Sequence, residues 1–374
     1  MICHNHSVSD AEHRDPEKTA RALAIDLGSV AQIRVIPSRI RGLTHKTLLI
    51  DFARPLPVLS TLAGFKAQIG SIGNHYLPPA SWGGYDEAGL AGLHARTCRE
   101  LERPEQSTCL LFTGVDVDYL SLQRRQYRET VVYALVTAGV KSNAAHMVKD
   151  RGEYYEPGTI NIILLSNRTL CSRAMTQALI VATEAKTAAL HDLDIRSSDS
   201  PLRHAATGTG TDGVLVAQGA GTPIDYAGGH TKVGELIAKA VYSGVLEAIA
   251  QWEGLTSGRS ILKRLHERHL SLTDMFDDKF DSRCELSTAL EELLREPRYA
   301  GFLATALSVS DDYDAGLIGN LGAFEFWCRQ LAEEIAGEKI ASPMDLIKAD
   351  GLLPMALNSL ANGLSIRMKK QNAS

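Results

Sequence analysis

Short apolar runs rich in β-branched residues recur over the first two thirds of the chain, and each predicts a buried strand. They are IRVIP and KTLLIDFA between residues 33 and 53, CLLFTGV at Cys109, and the runs that begin at Thr130, Thr159 and Gly213. Pro55 and Pro57 predict a break after the second run, and the Gly-rich segment 64–84 predicts a loop.

Apolar positions at helical spacing alternate with the later strands. Residues 87–101 fit one amphipathic helix, and small residues from Ala174 to Ala188 predict a helix over 170–193 that approaches a sheet closely. Another helix begins after Gly228-Gly229 and ends near Trp252. This order of elements predicts an α/β or α+β fold, in which helices pack on a mixed sheet.

The pattern changes after residue 253, where strand-like alternation gives way to helical periodicity at 261–269, 286–294, 322–336 and 352–367. The turn-forming residues GLTSG at 254–258 suit a linker. Residues 1–27 are polar, with three histidines and no sustained period, and predict a mobile leader. The expected organisation is therefore a leader (1–27), an α/β or α+β domain (28–254) and a small all-helical domain (255–374).

Composition excludes several classes of protein. Hydrophobic residues make up 44% and charged residues 22% of the 374 residues, which is typical of a globular chain. The 39 Lys+Arg against 44 Asp+Glu give a net charge of −5, so no nucleic-acid partner is expected.

Without an apolar run near ~20 residues or a signal-peptide core, the sequence predicts no membrane span and a cytoplasmic location. Six cysteines without a CxxC spacing predict reduced thiols, and the oligomeric state is open, a homo-oligomer included.

Polar clusters interrupt the apolar elements where strands end or helices begin. Asn143 ends the strand from Thr130, and Asn167 ends the strand from Thr159. TGTGTD at 207–212 precedes the next strand, and YAGGHTK at 226–232 opens a helix. Strand ends and helix starts commonly bind ligands, so these clusters are expected to converge on one site. The two asparagines either place amide groups side by side over a substrate or only satisfy turn backbone groups.

His230 is the leading acid/base candidate, because imidazole titrates near neutral pH and this residue follows two glycines. An isolated histidine is also frequently structural. Asp212 either orients that imidazole or caps the N–H groups of a tight turn. The hydroxyls of Thr209 and Thr211 are candidates for an oxyanion site or for the nucleophile, and the sequence does not decide between these roles.

The remaining candidates are backbone and charged groups around these segments. Gly208, Gly210 and Gly229 expose N–H groups with little steric bulk and are expected to bind substrate. Glu184 and Lys186 are two residues apart on one helix, so only one of them faces a site. Lys232 is a substrate-binding candidate, although its spacing to Glu235 and Lys239 is typical of a solvated charge row.

Common cofactor and nucleophile motifs are missing from the sequence. GxxxxGK[ST], GxSxG and HExxH do not occur, and GTGTD is not GxGxxG. No metal site, nucleotide site or serine-nucleophile elbow is therefore predicted.

Five segments together resemble the adenosylcobinamide amidohydrolase family. They are SNAA (142–145), GTINIILLSN (158–167), ATEAKTAALHDLDIRS (182–197), ATGTGTDGVLV (206–216) and YAGGHTKVGELIAKAVY (226–242), with PVLSTLAGF (57–65) as a weaker block. The resemblance covers about 33–252. It implies hydrolysis of the amide between the corrin ring and the aminopropanol arm of adenosylcobinamide, giving adenosylcobyric acid in cobamide salvage.

The resemblance also implies a corrinoid as the small-molecule partner. Cobalt would then enter only as part of the substrate, with no separate cofactor required and metal dependence left open. The alternative from another class is a corrinoid-binding protein without catalysis. The chain departs from the family pattern after SNAA, where Asp150 in HMVKDRG is the nearest counterpart of a short Gly-Asp turn, and at 63–65, where AGF replaces a Gly-rich triplet.

The tail resembles a second group. ILKRLHERHLSLTDMF (261–276) and LREPRYAGFLATAL (294–307) are similar to the helical α-ribazole phosphatase and phosphatidylglycerophosphatase A group, which implies a bifunctional fusion. A Mg²⁺-dependent phosphatase needs a carboxylate cluster. The aspartates of the tail show no paired arrangement, so a degenerate structural domain is the alternative; they are Asp311, Asp312, Asp314, Asp345 and Asp350.

Overall fold

The computed structural model describes residues 20–81, 89–151, 158–202, 204–277, 282–348 and 351–373. Its strands are β1 (Arg21–Ala22), β2 (Val30–Ile40), β3 (Leu43–Ser60), β4 (Gly64–Tyr76), β5 (Thr108–Thr113), β6 (Ser121–Tyr127), β7 (Thr130–Ala138), β8 (Ala144–Ala145), β9 (Ile160–Ser166), β10 (Thr169–Leu170), β11 (Gly208–Thr209), β12 (Gly213–Ala217) and β13 (Pro223–Ile224). Its α-helices are α1 (Gly89–Glu100), α2 (Ser172–Asp192), α3 (Lys232–Glu253), α4 (Ile261–Glu267), α5 (Leu272–Met275), α6 (Arg283–Leu293), α7 (Pro297–Asp314), α8 (Gly322–Ala336) and α9 (Leu352–Ala373).

Most of the long strands belong to one curled, mixed sheet. The strand order is β1-β2-β3-β12-β9-β7-β6, and β4 pairs with both β3 and β5. Strands β12 and β9 are parallel, as are β4 and β5, whereas β7 is antiparallel to β9. The predicted class, a mixed sheet with packed helices followed by a helical region, is confirmed.

The segment from residue 55 to 76 differs from its prediction. Strand β3 continues through Pro55 and Pro57, with register shifts against β4 on either side of Leu56. Bulges tolerate proline because the ladder hydrogen bond is already interrupted there. The predicted Gly-rich loop is instead largely strand β4, in which Gly73 permits close packing: a Cβ there would lie 2.5 Å from the carbonyl oxygen of Leu48.

Strands β1 and β6 escaped the sequence pattern, as did the two-residue strands β8, β10, β11 and β13. Strand β6 reads SLQRRQY, too polar to resemble a buried strand, and lies at the edge of the sheet beside β7. Strand β1 lies within the predicted leader and pairs antiparallel with β2. Leu27 is also buried, so residues 20–27 belong to the folded structure, and the rest of the predicted leader (1–19) lies outside the described residues.

The helices of the first part form where periodicity predicts them. Thr231 caps the start of α3, accepting a hydrogen bond from the N–H of Gly234, and Gly254 ends α3 in the left-handed conformation. Helix α3 packs on β6 and β7 through Gly244, whose missing side chain accommodates Val136. In the tail, α4 to α9 surround their own core, which includes Leu290, Phe302 and Leu360.

The described residues group into two compact units. One lies within Met1–Asn143, Tyr155–Ala189 and Thr209–Gly254, and the other within Ala144–Tyr154, Leu190–Gly208 and Leu255–Ser374. The chain passes from one unit to the other at the predicted linker, but two earlier segments belong with the tail. The division into separate domains at 28–254 and 255–374 stays a prediction.

Candidate functional site

Strand direction divides the predicted site residues between two edges of the sheet. Strand β7 ends where its antiparallel neighbour β9 begins, with Ala138 opposite Ile160, and β12 begins beside β9. We call this boundary, formed by residues 141–143, 158–160 and 209–212, the Asp212 edge. The opposite boundary, where β9 and β12 end, is formed by residues 166–168 and 218–232; we call it the His230 edge.

Asp212 is bound on both carboxylate oxygens. Oδ2 lies 2.5 Å from the Nζ of Lys186 and accepts the Thr209 N–H at 3.0 Å. Oδ1 accepts the Thr209 hydroxyl at 2.5 Å and the Ile160 N–H at 3.0 Å. Only 8% of the Lys186 side chain and 15% of the Asp212 side chain are exposed. Asp212 therefore caps turn N–H groups and neutralises a buried lysine.

Helix α2 separates Glu184 from Lys186, as their spacing predicts. Lys186 is buried and reaches Asp212, whereas Glu184 is exposed. Lys186 is thus the member of this pair that belongs to the Asp212 edge.

The loop before β12 uses several of its predicted binding groups internally. Thr209 is buried and its hydroxyl is donated to Asp212. The N–H of Gly210 is donated to the Asn143 carbonyl at 3.3 Å, and Gly208 is buried in β11. The N–H groups of residues 209 and 210 therefore already have partners, and an oxyanion role for this loop stays a prediction. Thr211 is exposed and donates to the Gly158 carbonyl at 3.0 Å.

Asn143 is buried on the Asp212 edge. Its Nδ2 donates to the Gly158 carbonyl at 2.7 Å, while its Oδ1 is buried without a hydrogen-bond partner among the described residues. A Cβ on Gly158 would lie 2.9 Å from the Cβ of Asn143, so only glycine permits this approach. The Asn143 Oδ1 is therefore a buried, unsatisfied acceptor at this edge.

Asn167 lies on the other edge. Its Oδ1 accepts the N–H of Val131 at 2.8 Å and its Nδ2 donates to the carbonyl of Glu129 at 2.6 Å. Placing the two asparagines side by side was wrong, because β7 and β9 are antiparallel and their ends lie at opposite edges. Asn167 has the alternative role, satisfying the backbone of the β6–β7 turn.

His230 is exposed on the His230 edge. Its ring lies 6.4 Å from that of Tyr226, in an edge-to-face arrangement. At this edge, Gln177 of α2 accepts a hydrogen bond from the N–H of Ala227, whereas Lys186 of the same helix reaches Asp212 at the other edge. Gln177 and Lys186 are nine residues apart, which corresponds to about 14 Å along the helix. The predicted pairing of Asp212 with His230 is therefore absent, and a catalytic role for His230 stays a prediction without this partner.

Gly229 and Lys232 also lie on the His230 edge. Gly229 is exposed. Lys232 forms an ion pair with Glu235, which also binds Lys239, and its Nζ lies 4.8 Å from the centre of the Tyr127 ring. The solvated charge row expected from their spacing is present, and substrate binding by Gly229 and Lys232 remains untested.

Sequence reasoning missed a cavity of about 330 Å³ at the Asp212 edge. Its lining includes Gly139, Lys141, Ser142, Gly158, Trp252 and Glu253. Glu253 is the last residue of α3, where the helix dipole disfavours a carboxylate. A glutamate in the last helical position, directly before the Gly254 cap, is the sequence signal that points to this residue.

A buried polar network also went unnoticed. The Nδ1 of His45 lies 3.1 Å from the Nε2 of His75. The other ring nitrogen of His75, Nδ1, lies 2.7 Å from the hydroxyl of Thr47. Burial, with a smaller effect from His45, lowers the pKa of His75 to about 3. Nearby, the Nδ2 of Asn161 donates to Asn74 Oδ1 at 2.8 Å. These residues escaped detection because they alternate with apolar neighbours inside strands.

The tail carboxylates are not assembled for a metal in the described ranges. Arg196 binds both oxygens of Asp311, at 3.0 and 3.1 Å, and Asp350 lies outside those ranges. Across the described chain, no group of three or more His, Cys, Asp or Glu side chains is arranged to hold a metal ion. Within the same residues, no helix is long and apolar enough to span a bilayer.

The fold and the polar Asp212 edge define an α/β-type domain with a small cavity at one sheet boundary, extended by a helical region. The model of the CbiZ family, adenosylcobinamide amidohydrolase, matches residues 33–257, and the chain belongs to this family. The family match does not include residues 258–374, so the phosphatase-like resemblance of the tail stays a prediction.

Two curated relatives each match part of the chain. The uncharacterized protein MJ1613 of Methanocaldococcus jannaschii is 38% identical over 222 residues, covering 54% of this chain and 86% of that protein. The adenosylcobinamide amidohydrolase of Methanosarcina mazei is 32% identical over 151 residues, covering 38% and 66%. A crystal structure of the PH0078 protein of Pyrococcus horikoshii aligns with a TM-score of 0.31 at 10% identity, over 62% of this chain and 83% of that one, a likeness too weak to support an argument.

Proposed function

We propose that this protein hydrolyses the amide between the corrin ring and the aminopropanol arm of adenosylcobinamide, giving adenosylcobyric acid. Family membership supports the reaction class. The observation that carries the proposal is the meeting of four separate motif segments at the Asp212 edge. Asn143, Gly158, Lys186 and Asp212 come from these four segments, and hydrogen bonds join them in two neighbouring groups.

The two groups are linked through the loop 209–212. The N–H of Gly210 binds the Asn143 carbonyl, and Thr211 binds the Gly158 carbonyl, while Asp212 holds Lys186. This arrangement fixes the loop beside the cavity, and the Asn143 Oδ1 within it is buried and unsatisfied.

Amide hydrolysis needs an attacking water or side chain, stabilisation of the oxyanion and a proton for the leaving amine. The deciding experiment incubates the full chain with adenosylcobinamide and analyses the products by mass spectrometry. Adenosylcobyric acid and free aminopropanol in equal amounts support the amidase. Tight binding of adenosylcobinamide with no product would instead indicate the corrinoid-binding alternative.

A further inference from the structure

The cavity at the Asp212 edge has the size of a small substrate arm. Its volume of about 330 Å³ equals that of roughly eleven liquid waters at about 30 Å³ each. An aminopropanol arm has five non-hydrogen atoms, and together with an amide group it fits such a space. The corrin ring, with its many amide side chains, does not fit. Only the arm and the bond to be cleaved would enter.

Glu253 lies at this cavity, and the hydrogen bonding of its carboxyl group differs from that of a surface glutamate. Its Oε1 accepts the N–H groups of Val140 and Lys141, at 2.9 and 3.0 Å. Its Oε2 is buried without a hydrogen-bond partner in the described structure. One oxygen is therefore fixed by the backbone, whereas the other is shielded from water and unsatisfied.

The protonated form of the Glu253 side chain is stabilised relative to that of a solvent-exposed glutamate. Burial raises the pKa of Glu253, against a smaller lowering by the two backbone N–H groups and the Lys141 charge. The negative end of the α3 dipole disfavours the carboxylate as well. A carboxyl group whose pKa is raised in a small cavity has the properties of a general acid.

We propose that this cavity binds the aminopropanol arm and that Glu253 is the catalytic acid that protonates the departing amine. The proposal rests on the proposed amidase function. Water adds to the carbonyl carbon, the C–N bond breaks, and its electron pair leaves with the nitrogen. A rotation of the carboxyl group first exposes Oε2 to the bound arm. The Oε2 proton then moves to that nitrogen, and Glu253 regains a proton from the added water, so amide and water give carboxylic acid and amine.

Trp252 supplies an apolar wall for the methyl group of the arm. Its ring packs against Tyr119, with ring centres 5.1 Å apart, and its side chain remains partly exposed beside the cavity. The arm would therefore place its methyl and methylene groups on the indole and its nitrogen toward Glu253.

Glu253→Gln tests the acid, because glutamine keeps an oxygen for the two N–H groups but has no acidic proton. We expect kcat to fall by about two to four orders of magnitude, the usual range for a positioned proton-transfer group, with KM within about threefold. In the wild type, kcat should decrease as pH rises through the pKa of Glu253, and this limb should disappear in the variant. Glu253→Asp, which retains the proton, should recover part of the lost activity.

Glu247→Gln is the matched control, since Glu247 lies on the same helix and its carboxylate binds Ser121 at 2.6 Å, outside the cavity. Its kcat and pH profile should equal those of the wild type. Trp252→Ala should raise KM by about threefold to tenfold, as expected from losing burial of one or two carbon groups. An unchanged KM would contradict the binding of the arm against Trp252 in this cavity.

A folded Glu253→Gln variant with kcat within about threefold of the wild type and an unchanged pH profile would exclude Glu253 as the acid while leaving the amidase intact. A wild-type chain that releases no adenosylcobyric acid would instead overturn the proposed function, and the role of Glu253 with it. Melting curves of each variant confirm that folding is not responsible for the result.

Discussion

The Nζ of Lys186 lies 2.5 Å from the Oδ2 of Asp212, and this ion pair joins helix α2 to the loop before β12. Both side chains are largely buried. A buried pair is costly to break, because the remaining partner keeps its charge without compensation. The pair therefore secures the position of residues 209–212 beside the cavity.

Lys186→Met should lower the free energy of unfolding by roughly 3 kcal/mol, since Asp212 would remain buried and unpaired. Urea unfolding at neutral pH measures this loss. Lys239→Met is the control: its partner Glu235 is solvent-exposed, so the loss should be much smaller. Equal losses in the two variants would show that the Lys186–Asp212 pair has no special structural role.

His230→Ala distinguishes the two edges of the sheet. The sequence predicts a fall in turnover of about two to four orders of magnitude if His230 transfers the proton. Because His230 is exposed and Asp212 binds Lys186 instead, we expect turnover within about threefold of the wild type. Steady-state kinetics on the folded variant decide, and a fall of the larger size would place the chemistry at the His230 edge.

Truncation after Gly254 tests the domain boundary. The sequence predicts that residues 1–254 fold and remain active alone. However, Arg196 binds Asp311 of the tail, and Asp194 binds Arg264 and Arg268. Only 3% of the Arg196 side chain is exposed, so removing the tail takes Asp311 from a buried arginine and leaves it Asp194 as an ion-pair partner.

We therefore expect residues 1–254 to show a lower soluble yield and a lower melting temperature than the full chain. Arg196→Met in the full chain is the matched variant, because it removes the same contact and keeps the tail. A stable truncated protein with full amidase activity would confirm the boundary predicted from sequence.

The buried His45–His75 pair predicts acid sensitivity. The pKa of His75 is lowered from 6.5 to about 3, and burial lowers the pKa of His45 as well. Between pH 6.5 and 3 the unfolded chain binds more protons than the folded chain, so the free energy of unfolding decreases as pH falls. One such histidine contributes up to about 1.4 kcal/mol per pH unit.

Urea unfolding of the wild type and His75→Gln at pH 7 and pH 5 measures this contribution. The wild type should lose more stability than the variant between these two values, and His191→Gln, on the last turn of α2, should behave as the wild type. The same pH dependence in wild type and His75→Gln would assign the acid sensitivity to other groups.

Local pattern in the sequence predicted much of this protein. The apolar runs at Thr130, Thr159 and Gly213 are strands β7, β9 and β12, and the patterns over 170–193 and up to Trp252 are α2 and α3. Strands and buried helix faces impose periods of two and about 3.6 residues, which a single chain segment displays by itself. The motif segments, read in order, also identified the family.

Tertiary structure decided which residues meet. Asn143 and Asn167 both follow strands, yet antiparallel pairing of β7 with β9 places them at opposite edges. Asp212 binds Lys186 rather than His230, and the end of α3 places Glu253 at a cavity formed by residues distant in sequence. Strand direction and the choice of partner strand depend on contacts between distant segments, which the periodicity of one segment does not specify.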